Sequence, residues 1–177
     1  SEDSYALDIL DSILSHGKSS RLYQSLVYEQ KSALAVGAEY SLLQSDPGLF
    51  YFYALVSPNQ KPELVEESLN REIKRLQADP PTELELQRAK NQVEASHIFE
   101  QDSNFRRAML LGQAESVGAG WRKIDQFVER IRAVTAKDIQ RVARQYLTED
   151  NRTVGTLIPV PPKQPDAPFS AAQQGRP

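Results

Sequence analysis

One short stretch of this sequence alternates apolar with polar or small residues and another is a continuous aromatic-rich apolar run, whereas most of the remaining chain repeats its apolar residues at helical spacing. The first covers residues 34–42, and the second is the aromatic-rich run from Leu49 to Val56. Because side chains of a strand point alternately to opposite faces, both stretches are predicted to be strands. Asp46-Pro47-Gly48 between them is typical of a tight turn, so the two should form an antiparallel hairpin.

The other segments indicate helices, several of them with recognisable start signals. Thr82 with Glu85, and Thr135 with Asp138, have the spacing of capping boxes, and Pro62 suits a first helical turn. The helices are predicted at about 4–15, 19–31, 62–79, 82–100, 105–117, 121–133 and 135–147. A third short strand is predicted at Thr153–Ile158.

The order of elements indicates an α+β fold, in which several helices pack on a small sheet containing an antiparallel pair. Residues 1–158 are expected to form one domain and residues 159–177 a proline-rich tail or linker. Three strands make a thin sheet, and a strand N-terminal to Ser1 would help to complete it.

Charge and cysteine content exclude several classes of function. The net charge is -3, with acidic and basic residues interspersed, so the chain offers no basic face for nucleic acid or a membrane surface. The absence of cysteine rules out disulfides, thiolate metal sites and thiol nucleophiles within these 177 residues.

Histidine is too scarce to predict a hydrolytic metal site. The only two, His16 and His97, are far apart in sequence, and neither has a second histidine at helical spacing. His97 shares a helix face with Glu94 and Glu100, which could hold a cation loosely, although a solvated face of mixed charge is the commoner explanation. His16-Gly17 fits a helix end, where a capping role for the histidine is the simpler interpretation.

Serine and glycine patterns give no stronger candidate. Ser19-Ser20 lacks the glycine-rich elbow of a serine hydrolase, and Gly112, Gly118 and Gly120 follow no predicted strand. We therefore nominate no catalytic, cofactor-binding or metal-binding residue in this chain.

The aromatic run Phe50-Tyr51-Phe52-Tyr53 leaves two interpretations open. Consecutive residues of a strand divide between its two faces, so aromatic side chains should lie on both faces of the sheet. Either the second face docks against a partner domain, or helices of the same chain cover both faces.

Several segments, in their order, resemble the C-terminal domain of the insulinase and pitrilysin family of zinc metallopeptidases, which includes mitochondrial processing peptidase. The resemblance covers essentially Ala6 to Pro159, and its segments are Ala6–Leu10, Ile13–Tyr23, Leu26–Lys31, Asp46–Phe50, Thr82–Lys90 and Val134–Gln140 with Ala143, Tyr146 and Leu147.

The resemblance implies two related α+β domains that pair into a half-shell, with two half-shells enclosing a chamber for peptide hydrolysis. In that family zinc is held by a His-x-x-Glu-His helix of the preceding domain, and this motif is absent here. Some domains of the family also carry a substrate-holding arginine and tyrosine, at positions that look like Val27 and Leu34 in this sequence. Neither side chain can donate those hydrogen bonds, so the chain resembles the domain that follows the zinc domain.

The expected function is that of a non-catalytic scaffold and chamber domain in a zinc-dependent metalloendopeptidase. The implied partners are the N-terminal zinc-binding domain of the same polypeptide, a second half-shell or subunit, and peptide substrate. The alternative is a non-catalytic assembly subunit resembling the core proteins of respiratory cytochrome complexes. A periplasmic or secreted location is expected for a bacterial protein of this kind.

Overall fold

The structure, a computed structural model, describes residues 2–43 and 48–159. Within these ranges the chain forms seven α-helices, a π-helix and a two-stranded sheet. The elements in chain order are α1 (Asp3–Ser15), the π-helix (Tyr23–Glu29), β1 (Ala33–Tyr40), β2 (Phe50–Val56), α2 (Pro62–Ala78), α3 (Glu83–Gln101), α4 (Asn104–Ser116), α5 (Arg122–Asp125), α6 (Phe127–Ala133) and α7 (Ala136–Tyr146).

Both capping boxes are confirmed. At the start of α3 the Glu85 N–H donates to the Thr82 hydroxyl at 3.3 Å, and the Thr82 N–H donates to the Glu85 carboxylate at 2.8 Å. Thr135 and Asp138 repeat this exchange at the start of α7, at 3.2 and 3.0 Å. Each box satisfies backbone donors that the first helical turn leaves without partners.

Helix α1 lies at the centre of the core. It packs against α3, α6, α7 and β1, and its apolar residues are almost entirely removed from solvent. The largest fully buried side chains of the core are Ile9, Leu10, Leu14, Leu22, Leu26, Leu76, Ile131, Ile139 and Val142. The first turn of α1 is also tied to α7, because the Asp3 carboxylate accepts from Arg141 at 2.7 Å and from the Tyr146 hydroxyl at 2.8 Å.

Strands β1 and β2 pair antiparallel, with Gly37 opposite Tyr53 and a bulge near Ala33. The predicted division of the aromatic run between two faces is confirmed. Phe50 and Phe52 pack against the helical core, whereas Tyr51 and Tyr53 are exposed on the other face. The predicted turn at Asp46-Pro47-Gly48 lies mostly outside the described residues.

Two predictions about secondary structure are wrong. The third strand at Thr153–Ile158 is not formed, because no described residue exchanges backbone hydrogen bonds with this segment and a strand exists only through pairing. The helix expected over Trp121–Ala133 is interrupted at Gln126, whose ψ of -5° departs from helical geometry and separates α5 from α6.

The proposed tail at 159–177 lies beyond the described residues except for Pro159. Among the described residues, no helix is both long and apolar enough to cross a membrane.

Candidate functional site

On α3, the His97 side chain packs against an aromatic ring and the Glu94 side chain forms an ion pair. His97 is buried, and its ring stacks on Phe127 with a centroid distance of 4.3 Å. Burial lowers the pKa of this imidazole, and the nearby Glu100 opposes the shift. Glu94 receives a guanidinium hydrogen bond from Arg132 of α6 at 2.9 Å, so its carboxylate is already engaged. The loose cation site considered for His97, Glu94 and Glu100 therefore has no supporting geometry.

His16 lies exposed at the C-terminal end of α1, and its backbone, not its ring, makes the cap. The His16 N–H donates to the Ser12 carbonyl at 3.1 Å, and Gly17 follows at a φ of +79°. His16 lines a shallow cavity of about 350 Å³ with Ser19 and Ser20. The described residues contain no group of three or more His, Cys, Asp or Glu side chains able to hold a metal ion. This part of the chain therefore lacks the ligand set that zinc hydrolysis needs.

Two carboxyl groups of α1 were not singled out by the sequence. Burial, together with the charges of Asp11 and Glu100, raises the pKa of Asp8 to about 7. Burial also raises the pKa of Asp11, although Ser15, His16 and the Tyr40 N–H act against it. The available signal was the placement of both acids on a helix whose neighbouring positions are apolar.

The exposed side of the sheet is the most distinctive surface of the described chain. We call the side chains of Leu34, Tyr51, Tyr53 and Leu55 the outer hairpin face, and each of them is between 55% and 59% exposed. The Tyr53 ring lies directly over Gly37, where a Cβ atom would meet it at 2.4 Å. Glycine at position 37 thus lets the ring lie flat on the sheet.

Of the two sequence interpretations of the aromatic run, the one in which helices of the same chain cover both faces is not met by any helix of residues 2–43 and 48–159. The inner face packs on the core, but no described element covers the outer hairpin face. Val27 is half-buried in the π-helix and packs against the core, whereas Leu34 belongs to the outer hairpin face. The two positions matched to the family's substrate-holding pair therefore present apolar side chains.

The two edges of the hairpin differ. Along β1, the Asp11 carboxylate accepts from the Tyr40 N–H at 3.2 Å, and the Ser15 hydroxyl donates to the Ala38 carbonyl at 3.1 Å. Helix α1 therefore covers the β1 edge. The edge of β2 instead faces a cleft of about 1640 Å³, bordered by α2 and by the irregular segment 152–157.

Comparison with known proteins identifies a family for this chain. Residues 1–93 match the family model of the peptidase M16 inactive domain. The chain is 27% identical over 146 residues to YmxG, a zinc protease of Bacillus subtilis described as uncharacterised. The alignment includes 82% of this chain and 35% of that protein. The chain thus spans about a third of the length of this curated relative.

Solved structures agree with the family match. The inactive peptidase domain of a candidate zinc protease from Bordetella parapertussis superposes with a TM-score of 0.83 at 30% identity, covering 96% of this chain and 88% of that one. A candidate zinc protease from Bordetella pertussis gives 0.81 at 30% identity, with coverage of 90% and 87%. The resemblance inferred from the sequence and the α+β fold are thereby confirmed, and the chain belongs to the peptidase M16 family, as its inactive domain.

Proposed function

We propose that this chain is the non-catalytic scaffold domain of a longer zinc-dependent metalloendopeptidase, termed the parent polypeptide below. In this proposal a preceding domain holds the zinc and cleaves peptides, and the present domain packs against it and shapes the chamber wall. A second half-shell or subunit would close the chamber, and a periplasmic or secreted location is part of the same proposal. The relatives named as zinc proteases and the missing ligand set in the described residues support it.

The observation that carries the proposal is the outer hairpin face. Tyr51, Tyr53 and Leu55 alternate along β2, Leu34 lies at the bulge of β1, and all four side chains are more than half exposed. Such a contiguous patch is costly in water and typical of an interface with another domain. The preceding zinc-binding domain is the partner that we assign to it, because the family resemblance implies that two related domains pair.

The first test separates the activity of the parent polypeptide from that of the 177-residue chain. The parent polypeptide should cleave an unfolded peptide and lose that activity with a chelator, while the 177-residue chain neither cleaves the peptide nor retains zinc. Stoichiometric zinc with turnover in the 177-residue chain would contradict the proposal.

A second test addresses the outer hairpin face. Leu55→Asp in the parent polypeptide should lower kcat/KM at least about tenfold, because a buried unpaired charge disrupts a domain interface. Leu84→Asp is the matched control, since Leu84 is also exposed but lies in the first turn of α3, where an acidic residue is tolerated. Equal activity of both variants would show that this face is not an interface.

A further inference from the structure

The cavity of about 350 Å³ lies between the end of α1 with its following loop and the first half of α3. Its walls are rich in side chains that donate hydrogen bonds, which are His16, Ser19, Ser20, Arg88, Asn91 and Gln92. None of these residues belongs to the outer hairpin face. The cavity is therefore a separate feature from the surface that we assign to the zinc-binding domain.

One wall of the cavity is a single face of α3. Glu85, Arg88 and Gln92 follow one another at spacings of three and four residues, which places their side chains on the same side of a helix. Arg88 is exposed, and no carboxylate of residues 2–43 or 48–159 forms an ion pair with its guanidinium group. Its positive charge is thus available to a ligand in the cavity.

Glu85, the acidic residue of this wall, is already engaged. Its carboxylate accepts from the Arg21 guanidinium at 2.8 and 3.1 Å and from the Thr82 N–H at 2.8 Å. The Arg21 charge offsets that of Glu85, so the charge of Arg88 remains uncompensated at the cavity. This balance favours an anion over a cation as the ligand.

Ser20 contributes a buried hydroxyl to the same cavity. The residue is 4% exposed, and none of the described residues forms a hydrogen bond with its Oγ atom. A buried polar atom without a partner is unfavourable, and a ligand is one reason for a protein to keep it. Because this hydroxyl has no hydrogen bond to lose, rotation of its χ1 angle toward the cavity breaks none.

We propose that this cavity binds a small oxyanion, either phosphate or a carboxylate. Arg88 would make charge-assisted hydrogen bonds to it, and Ser20 and Gln92 would donate further ones. Such an anion only accepts hydrogen bonds and carries several acceptor sites, which matches walls that mainly donate. The cavity of about 350 Å³ has room for the ion, since a water molecule in the liquid occupies about 30 Å³.

Amide NMR spectra of the 177-residue chain, recorded at constant pH and ionic strength, test the proposal. Replacing chloride with inorganic phosphate should shift the amide resonances of Ser19, Ser20 and Gln92 until the shifts saturate. A parallel titration with acetate separates the two sources, because the anion that saturates at the lower concentration is the preferred ligand. If neither anion gives saturable shifts at these residues, the proposal is wrong.

Variants show whether the named side chains hold the anion. Arg88→Gln should weaken binding at least about tenfold, since it removes the charge. Arg71→Gln, at an exposed arginine of α2 outside the cavity, is the matched control and should leave the affinity unchanged. Affinity that is equal in these two variants would reveal binding to surface charge in general and overturn the proposal.

Ser20→Ala tests the buried hydroxyl. This variant should weaken binding about threefold or more, because one donor to the anion is lost. Its midpoint of chemical denaturation should stay unchanged without added anion, since the folded chain loses no hydrogen bond. Unchanged affinity together with a lowered midpoint would mean that the hydroxyl serves only the packing of the chain, and would remove Ser20 from the site.

Discussion

The apolar side chains of α1 are buried in the core, whereas those on the outer hairpin face of the β-hairpin are exposed. Leu10 and Leu14 of α1 are fully buried, while Tyr53 and Leu55 of β2 are more than half exposed. The difference arises because α1 finds partners on several sides within the chain, whereas the hairpin has one covered face and one covered edge. The apolar pattern of a segment therefore indicates that a partner is needed, and the structure shows where the described part of the chain supplies none.

The two regions should differ most in the stability that is lost when a leucine is replaced by alanine. Leu10→Ala is expected to reduce the free energy of unfolding by about 3 kcal/mol, because it leaves a cavity in a closed core. Leu55→Ala should change it by less than about 0.5 kcal/mol in the 177-residue chain, since its side chain is largely in water already. Chemical denaturation measures both, and equal losses would show that the outer hairpin face is covered in solution.

Asp8 should make the helical layer less stable as the pH rises. Its pKa is about 7 in the folded chain and near 3.8 when exposed, so the folded state binds more protons between these values. Stability should therefore fall from about pH 4 to pH 7, and Asp8→Asn should remove that loss, gaining about 2 kcal/mol at pH 8 once solvent screening of this half-buried side chain is allowed for. Unfolding curves at pH 5 and pH 8 test this, with the exposed Asp125→Asn as control. A pH dependence unchanged by Asp8→Asn would exclude Asp8 as its source.

Ionisation of Glu85 should instead make the chain more stable as the pH rises. Its partial burial favours the neutral form, but hydrogen bonds from Arg21 at 2.8 Å and from Thr82 outweigh this and lower the pKa to about 2. Stability from this group is present above about pH 4.5 and lost as the pH falls toward 2. Glu85→Gln should lower the free energy of unfolding by about 1–2 kcal/mol at pH 7, allowing for solvent screening. It should also reduce the loss of stability as the pH falls from about 4.5 toward 2. Glu83→Gln, a change at an exposed neighbour, should leave the loss of stability at low pH unchanged.

The smallest expected effect concerns Gly37. An alanine Cβ would meet the end of the Tyr53 ring at 2.4 Å, but this ring is on the open face and can swing into solvent. Gly37→Ala should therefore change stability by less than about 1 kcal/mol while exposing Tyr53 further, which tyrosine fluorescence quenching can follow. Gly112→Ala, at a helical position with open space around it, should instead stabilise the chain by about 0.5–1 kcal/mol. A large loss from Gly37→Ala would mean that the Tyr53 ring cannot move.

Local signals in the sequence were sufficient for most of the secondary structure. Thr82 and Thr135 mark helix starts through contacts three residues away, and the alternation of apolar with polar or small residues from Leu34 to Leu42 indicates a strand. These features depend on neighbouring residues, so a pattern of residue types determines them.

Features that depend on distant partners could not be predicted in the same way. The segment Thr153–Ile158 has the composition of a strand, yet composition does not say whether a neighbouring edge is available. The pKa of Asp8 depends on Glu100, more than ninety positions away, and on how closely α3 covers α1. The coverage of the β1 edge by Asp11 and Ser15 likewise requires knowing how α1 crosses the sheet.

The contacts of Asp3 with Arg141 and Tyr146 have a consequence for biosynthesis. They join the first turn of α1 to the last helix, across 138 and 143 positions of sequence. On a ribosome, α1 emerges long before α7 and cannot complete the burial of its apolar surface until that helix has left the exit tunnel. The nascent domain must therefore keep its central helix incompletely packed for most of translation, which makes it a candidate for chaperone binding during synthesis.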